Sequence, residues 1–281
     1  MFKIGDYNKL YVAKKSEYGF FLKDNEQNDK LILLPFNSAC GNELKDDEEV
    51  NVFIYRDSSD RIIATMKKPF AKAYELAYLK VVSNTKIGSF IDFGLERDIL
   101  VPIKEQAYIL ENDKSYLFYI YIDKTDRIAA TTYIDRYLDA DHSFKIGDET
   151  EGIVYGFQTN GSAMVAVNKK YRGVILRNEY FSSIKTGDIL SLRVIKLYED
   201  GKLGLTPRNH PEDERLTLEK SILEYLKNHD GFMPYNDKSS PADIKSVFHE
   251  SKNYFKNALG GLMKKGLIEQ DSTGSRLLKK E

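Results

Sequence analysis

The sequence predicts a multidomain, mainly β protein: three tandem five-stranded barrels of the OB type, then an α+β winged-helix domain. Three observations carry this. A hairpin recurs three times, a glycine-bearing strand pair precedes each copy, and after Thr206 the apolar spacing turns from strand-like to helical. Each hairpin is an apolar run, an acidic turn and a short strand closing on Thr: residues 52–57 with 61–65, 117–123 with 127–131, and 190–199 with 202–206. Thr65 and Thr131 lie 66 residues apart and Thr131 and Thr206 lie 75 apart, about one small domain each time. Tandem copies of one module are therefore expected, not one large fold.

Within each module the earlier elements also repeat. The glycine-bearing strands are Tyr18-Gly19-Phe20-Phe21-Leu22, Gly88-Ser89-Phe90-Ile91 and Gly161-Ser162-Ala163-Met164-Val165. A third strand follows at residues 31–35, 98–102 and 173–176. Five strands in roughly 65 residues, with a bend-permitting glycine early, describe a small closed barrel. The expected modules are residues 1–67, 68–133 and 134–208.

Residues 209–281 form the fourth domain. Asn209-His210-Pro211-Glu212-Asp213-Glu214 opens a helix, its carboxylates complementing the dipole, and Leu218, Ile222, Tyr225 and Leu226 recur at helical spacing. Residues 231–235 read as extended. Ser240 caps a second helix with Pro241 at its first position. Ser251 caps a third, which buries Phe255, Ala258, Leu259 and Leu262 and ends at Gly266. Residues 267–278 close as a hairpin, completing the order of a winged helix.

Charge limits the function. Against 42 Lys and Arg stand 43 Asp and Glu, a net −1, which argues against coating nucleic acid by bulk attraction. Locally, residues 1–66 hold 9 cations against 12 carboxylates, whereas residues 134–208 hold 11 against 10. The single Cys40 excludes an internal disulfide and fits a reducing compartment. No apolar run approaches the ~18–20 residues of a membrane span, and the start lacks a secretory apolar segment, so a cytoplasmic protein without membrane contact is expected.

No catalytic constellation emerges. Asp92-Phe93-Gly94 matches a kinase tripeptide, but no catalytic loop or phosphate loop accompanies it. Gly261 to Gly266 has Walker-like spacing but is followed by Leu267. His142, His210, His229 and His249 are dispersed, without partners at metal-ligand spacing. The paired acids Asp57/Asp60 and Asp123/Asp126 recur at the same hairpin, which marks them as turn formers. A non-enzymatic protein needing no cofactor and no metal is expected.

The run Gly88-Ser89-Phe90-Ile91-Asp92-Phe93-Gly94-Leu95-Glu96-Arg97-Asp98-Ile99-Leu100-Val101-Pro102 resembles the bacterial conserved virulence factor B family. So do Lys145-Ile146-Gly147-Asp148, Tyr171-Arg172-Gly173-Val174-Ile175-Leu176-Arg177-Asn178-Glu179, and the helical segments from Ser240 to Phe248 and Ser251 to Gly260. The resemblance covers essentially the whole chain and lies in the order of modules. It implies three S1-type RNA-binding barrels and a winged helix, in a cytoplasmic protein that influences gene expression. The sequence departs from the S1 pattern in having Ile87 and Asn160 where an aromatic commonly precedes the glycine, and Pro102 and Leu176 where a His is frequent.

Binding residues are sought among aromatics with cations beside them, because bases stack on rings while cations follow phosphates. Phe90 and Phe93 lie three apart, so strand alternation allows at most one of them to stack. Tyr155 and Phe157, two apart, are expected on one face, near Lys169, Lys170, Tyr171, Arg172 and Arg177; this cluster is the favoured contact. Tyr18, Phe20 and Phe21 sit in an acidic module and rank below it. On the third helix, Lys256 and Lys264 join Asn253 and Asn257 on the face away from the core, with Lys252 at its start. The expected function is binding of single-stranded RNA in post-transcriptional regulation. The alternative is a protein-interaction scaffold associated with ribosomes or RNA-processing and RNA-degradation proteins.

Overall fold

A computed structural model describes residues 2–24, 30–180, 183–208 and 211–278, with residues 211–214 described by backbone alone. Of the expected first-helix start, Asn209 and His210 lie outside the described residues. No helix among the described residues is long and apolar enough to cross a membrane.

Three closed five-stranded barrels follow one another. The first comprises β1 (Tyr7–Lys15), β2 (Gly19–Lys23), β3 (Ile32–Pro35), β4 (Glu49–Arg56) and β5 (Ile62–Thr65), closed in the order β1-β2-β3-β5-β4. β6 (Leu76–Thr85), β7 (Gly88–Ile91), β8 (Ile99–Pro102), β9 (Ser115–Ile122) and β10 (Ile128–Thr131) repeat it. So do β11 (Glu149–Phe157), β12 (Ala163–Val167), β13 (Tyr171–Ile175), β14 (Ile189–Leu197) and β15 (Leu203–Thr206). β3 runs parallel to β5 and β8 to β10, while the other pairings of the first two barrels are antiparallel, as an OB barrel requires.

The repeated glycine has a steric cause. A Cβ on Gly19 would stand 2.1 Å from the Leu34 carbonyl oxygen, and one on Gly88 would stand 2.2 Å from that of Val101. Both residues adopt φ near +150° where β2 meets β3 and β7 meets β8. Just before each, a hydroxyl ties the turn: Ser16 Oγ donates to the Gly19 carbonyl and Thr85 Oγ1 to that of Gly88, both at 2.9 Å. Gly88→Ala is expected to cost on the order of 3 kcal/mol, since the opposing atom is backbone and cannot give way; thermal unfolding of the full chain measures it.

The fourth strand of each early barrel is buried on both faces. Along β4, Val50, Val52 and Ile54 enter the first barrel's core, while Phe53 and Tyr55 enter the core of the second. In β9, Tyr116, Phe118 and Ile120 fill the second barrel, and Leu117 packs with Ile134, Leu138, Ile153 and Tyr155 toward the third. Two-sided burial explains why these strands read as continuous apolar runs instead of alternating ones.

The acidic turns do form turns. Asp57 accepts the backbone N–H groups of Ser59 and Arg61, and Asp123 those of Thr125 and Arg127. They also clasp barrel to barrel: Arg127 Nε donates to Asp60 Oδ1 at 2.9 Å, Arg56 Nη2 to Asp126 Oδ2 at 3.3 Å, and Arg97 Nη1 to the Asp57 carbonyl at 2.6 Å.

The chain divides into two compact units, the second holding residues 175–184 and 205–281. In it, α1 (Pro211–Asn228), β16 (Phe232–Met233), α2 (Pro241–Phe248), α3 (Lys252–Lys264), β17 (Ile268–Gln270) and β18 (Ser275–Leu277) build the winged helix around a three-stranded sheet. Ser240 and Ser251 cap α2 and α3 through Asp243 N–H and Tyr254 N–H, as expected. Leu218, Ile222, Leu226, Phe255, Ala258, Leu259 and Leu262 are all in its core.

Candidate nucleic-acid interface

Each barrel carries a β-bulge in its first strand, within the pairing with its second. The register shifts between Val12 and Lys14, between Val81 and Ser83, and between Val154 and Gly156. Beyond the bulge, Lys14 pairs with Phe21 and Lys15 with Phe20; Ser83 pairs with Phe90 and Asn84 with Ser89; Gly156 pairs with Met164 and Phe157 with Ala163. These registers set equivalent positions side by side and show how unequal the faces are.

The first barrel presents aromatics and cations together. Tyr18 is 69% exposed and Phe36, in the short turn after β3, is 41% exposed. The two are joined through the backbone, Phe36 N–H donating to the Tyr18 carbonyl at 3.3 Å. Phe20 is buried beneath them, edge-on to Phe36 with ring centroids 5.3 Å apart. Lys15 Nζ lies 5.9 Å from the Phe20 ring and 5.7 Å from Phe36, and Lys14 Nζ lies 5.6 Å from the half-buried Phe21. Both lysines are exposed. Two of the module's acids that pair do so elsewhere, Asp47 with Lys23 at 2.6 Å and Glu49 with Lys9 at 3.3 Å. The barrel is acidic in sum but sets Lys14 and Lys15 beside aromatic rings.

Charge summed along the sequence ranks this face last. Lys14, Lys15 and Phe36 escape such a reading because they reach the platform from different strands and turns. The usable signal is positional: Lys14-Lys15 stands where the second copy has Ser83-Asn84.

The expected residues of barrels two and three are distributed differently. Phe93 is 1% exposed and packs on Phe53 with centroids 6.2 Å apart, so it is a core residue and presents no ring to a base. Phe90 is half-buried in a cavity of about 170 Å³ that also holds Arg97 and Arg127. Tyr155 and Phe157 do not share a face, because Tyr155 is the bulged residue and alternation fails there. Tyr155 is buried, its hydroxyl donating to Asp135 Oδ1 at 2.7 Å, whereas Phe157 is exposed. Burial first, then the Asp135 carboxylate, pushes the Tyr155 phenol well above its ordinary range.

The basic cluster of the third barrel largely fastens the preceding segment. Asp139 N–H donates to the Lys170 carbonyl and Arg172 N–H to the Asp139 carbonyl. Lys170 Nζ lies 3.7 Å from Asp139 Oδ2, and Arg172 Nε lies 3.6 Å from Asp135 Oδ1. Tyr171 packs edge-on against His142 and Phe144. Lys169 is exposed in a left-handed turn with Asn168. Arg177, in the second unit, donates to the Tyr180 carbonyl at 2.8 Å and covers that ring.

On α3, Asn253, Lys256, Asn257 and Lys264 are exposed along the face opposite the core, with Met263 among them. Lys252 Nζ reaches the Lys238 carbonyl at 3.4 Å. On the wing, Arg276 lies over Phe232 with Asp271 3.5 Å away.

Comparison with known proteins agrees with this architecture. The S1 domain description matches residues 4–67, the first barrel, and the CvfB-like winged helix domain description matches residues 220–277. The uncharacterized protein YitL of Bacillus subtilis (strain 168) is 33% identical over 273 residues, covering 94% of this chain and 90% of that protein. Conserved virulence factor B of Staphylococcus aureus (strain N315) is 28% identical over 290 residues, covering 99% and 95%. The crystal structure of a multidomain protein with nucleic acid binding domains from Streptococcus pneumoniae TIGR4 matches at a TM-score of 0.52 and 25% identity over 98% of each chain.

Proposed function

This chain belongs to the conserved virulence factor B family, and from that premise we propose that it binds single-stranded RNA, without chemistry of its own, in post-transcriptional regulation. The observation that supports this most is the first barrel's exposed Tyr18 and Phe36 with Lys14 and Lys15 beside them. Exposed rings take unpaired bases, whose faces a duplex hides, and lysine ammonium groups follow the phosphates with little regard for sequence. The basic and amide face of α3 offers a further contact to RNA. Anisotropy of a labelled single strand against its own duplex tests this: the single strand binds more tightly, and equal or tighter duplex binding overturns the reading.

On α3, the double variant Lys256→Ala/Lys264→Ala is expected to weaken binding alike for all sequences. It should reduce the slope of log affinity against log salt by about 1.4, since each single-strand phosphate left without its lysine accounts for about 0.7. Titration at four salt concentrations measures that slope.

One observation favours a second role for the middle barrel. Where the first has Tyr18 and Phe36, it has Ile87 and Ile103, 62% and 58% exposed. Exposed isoleucines in place of aromatic rings offer no stacking platform and suit a protein, such as a ribosomal or RNA-processing partner, better than an RNA base. Partners retained after RNase treatment but absent with Ile87→Ser/Ile103→Ser would support that role.

A further inference from the structure

We propose that the junction of barrels two and three is itself a nucleic-acid contact: Lys104, from the turn after β8, and Tyr133 and Arg136, from the joining segment, line a groove that carries a single strand from one barrel to the next. The inference rests on the reading of this chain as a single-strand binder and extends it to residues outside the barrel strands.

The groove is an open cavity of about 530 Å³, within the roughly 300–1,000 Å³ typical of sites that hold a ligand-sized molecule. Lys104 and Arg136 are exposed along it, and Tyr133 is 50% exposed. It runs on into a second cavity of about 220 Å³ that shares Asp135, Tyr155 and Met164 and adds Arg172 and Lys202. Of the four cations along the two cavities, Lys202 is paired with Asp200 at 2.9 Å and Arg172 with Asp135. The Asp135 charge is already met, since it accepts the Tyr155 hydroxyl at 2.7 Å and lies 3.6 Å from Arg172 Nε. What remains is Lys104 and Arg136 for phosphates, with the Tyr133 ring and the half-buried Met164 for bases.

The segment is built to hold these groups outward. Ile134 and Leu138 are buried on either side of the short turn Asp135–Tyr137 and pin it to the junction. Thr132 N–H donates to the Glu105 carbonyl at 2.9 Å, and Ala107 N–H to Thr132 Oγ1 at 2.7 Å, which fixes the approach to Tyr133. The Arg136 guanidinium lies 4.7 Å from the Tyr137 ring centre, and Tyr137 stacks on Tyr119 at 3.4 Å and 7°. A guanidinium held by such a stack is pre-organised and loses less freedom when it meets a phosphate.

The test uses the full chain, a labelled single-stranded oligouridylate and several salt concentrations. Lys104→Gln/Arg136→Gln should lower affinity about tenfold at low salt and flatten the log–log salt slope by about 1.4, while Arg136→Lys keeps the slope. Tyr133→Ala should lower affinity about fivefold or more. These side chains are exposed, so unfolding temperatures should stay put. If the wild type binds and Tyr18→Ala/Phe36→Ala abolishes binding while the junction variants bind as wild type, this proposal is overturned and the wider reading survives. If the junction variants lose only an acidic protein partner and no RNA affinity, it is likewise overturned. If the wild type binds no RNA at all, both fall.

Discussion

Replacing both Tyr18 and Phe36 by alanine should lower the affinity of the full chain for single-stranded RNA by about 30-fold or more. Each base stacked on an aromatic ring contributes about 1–3 kcal/mol. Removing two platforms therefore takes away at least ~2 kcal/mol, and 1.4 kcal/mol is tenfold in affinity. The effect should be one of binding, not folding: both rings are largely exposed, and the core beneath them is closed by Phe20, Leu22 and Leu34. Tyr18→Phe should bind nearly as the wild type does, because the ring and not its hydroxyl makes the contact. Loss of affinity in Tyr18→Phe as well would move the explanation from stacking to hydrogen bonding.

The second large effect is on stability. Phe53→Ala should destabilise the paired first and second barrels by about 3–5 kcal/mol, the usual cost of removing a buried phenylalanine. Phe53 is fully buried, belongs by sequence to the first barrel, and packs with Phe93 and Tyr7 in the core of the second. It is thus the bolt between two modules. Nearby, Glu96 of the second barrel lies 2.7 Å from Lys67 Nζ and accepts from Tyr55 Oη at 3.1 Å. Burial alone would push the Glu96 carboxyl up, but Lys67 and Tyr55 outweigh it and hold the carboxyl below its ordinary value. Removing Phe53 leaves that polar contact in place and takes away the apolar filling under it. Denaturant unfolding followed by hydrogen exchange on β4 and β9 reads the loss, and a change under 1 kcal/mol would mean the barrels are not joined through this ring. Phe93→Ala should behave in the same way, as a core truncation and not as a binding variant.

The architecture was legible because it rests on local, repeated chemistry. The Thr-closing hairpins, the steric glycines Gly19 and Gly88, and the caps Ser240 and Ser251 each leave a mark within a few residues. The binding face was less legible for two physical reasons. A β-bulge at Tyr155 breaks the alternation that would have put it beside Phe157, and nothing in the run Tyr155-Gly156-Phe157 announces the extra residue. Net charge, meanwhile, averages over a whole barrel. The first module's acids at Asp47 and Glu49 conceal the exposed Lys14 and Lys15, and the third module's Lys170 and Arg172 look available until Asp139 and Asp135 arrive from the preceding segment. Pairing between distant segments decides both cases. The helix face of α3 was readable because helical period alone separates Asn253, Lys256, Asn257 and Lys264 from the buried Phe255, Ala258, Leu259 and Leu262.

Ultraviolet cross-linking of a single-stranded RNA to the full chain, with the attached peptides identified by mass spectrometry, tests the placement of the interface most directly. Adducts should concentrate on the peptides containing Tyr18 and Phe36 and should fall as salt rises. Adducts confined to the second and third barrels, with none on the first, would contradict it.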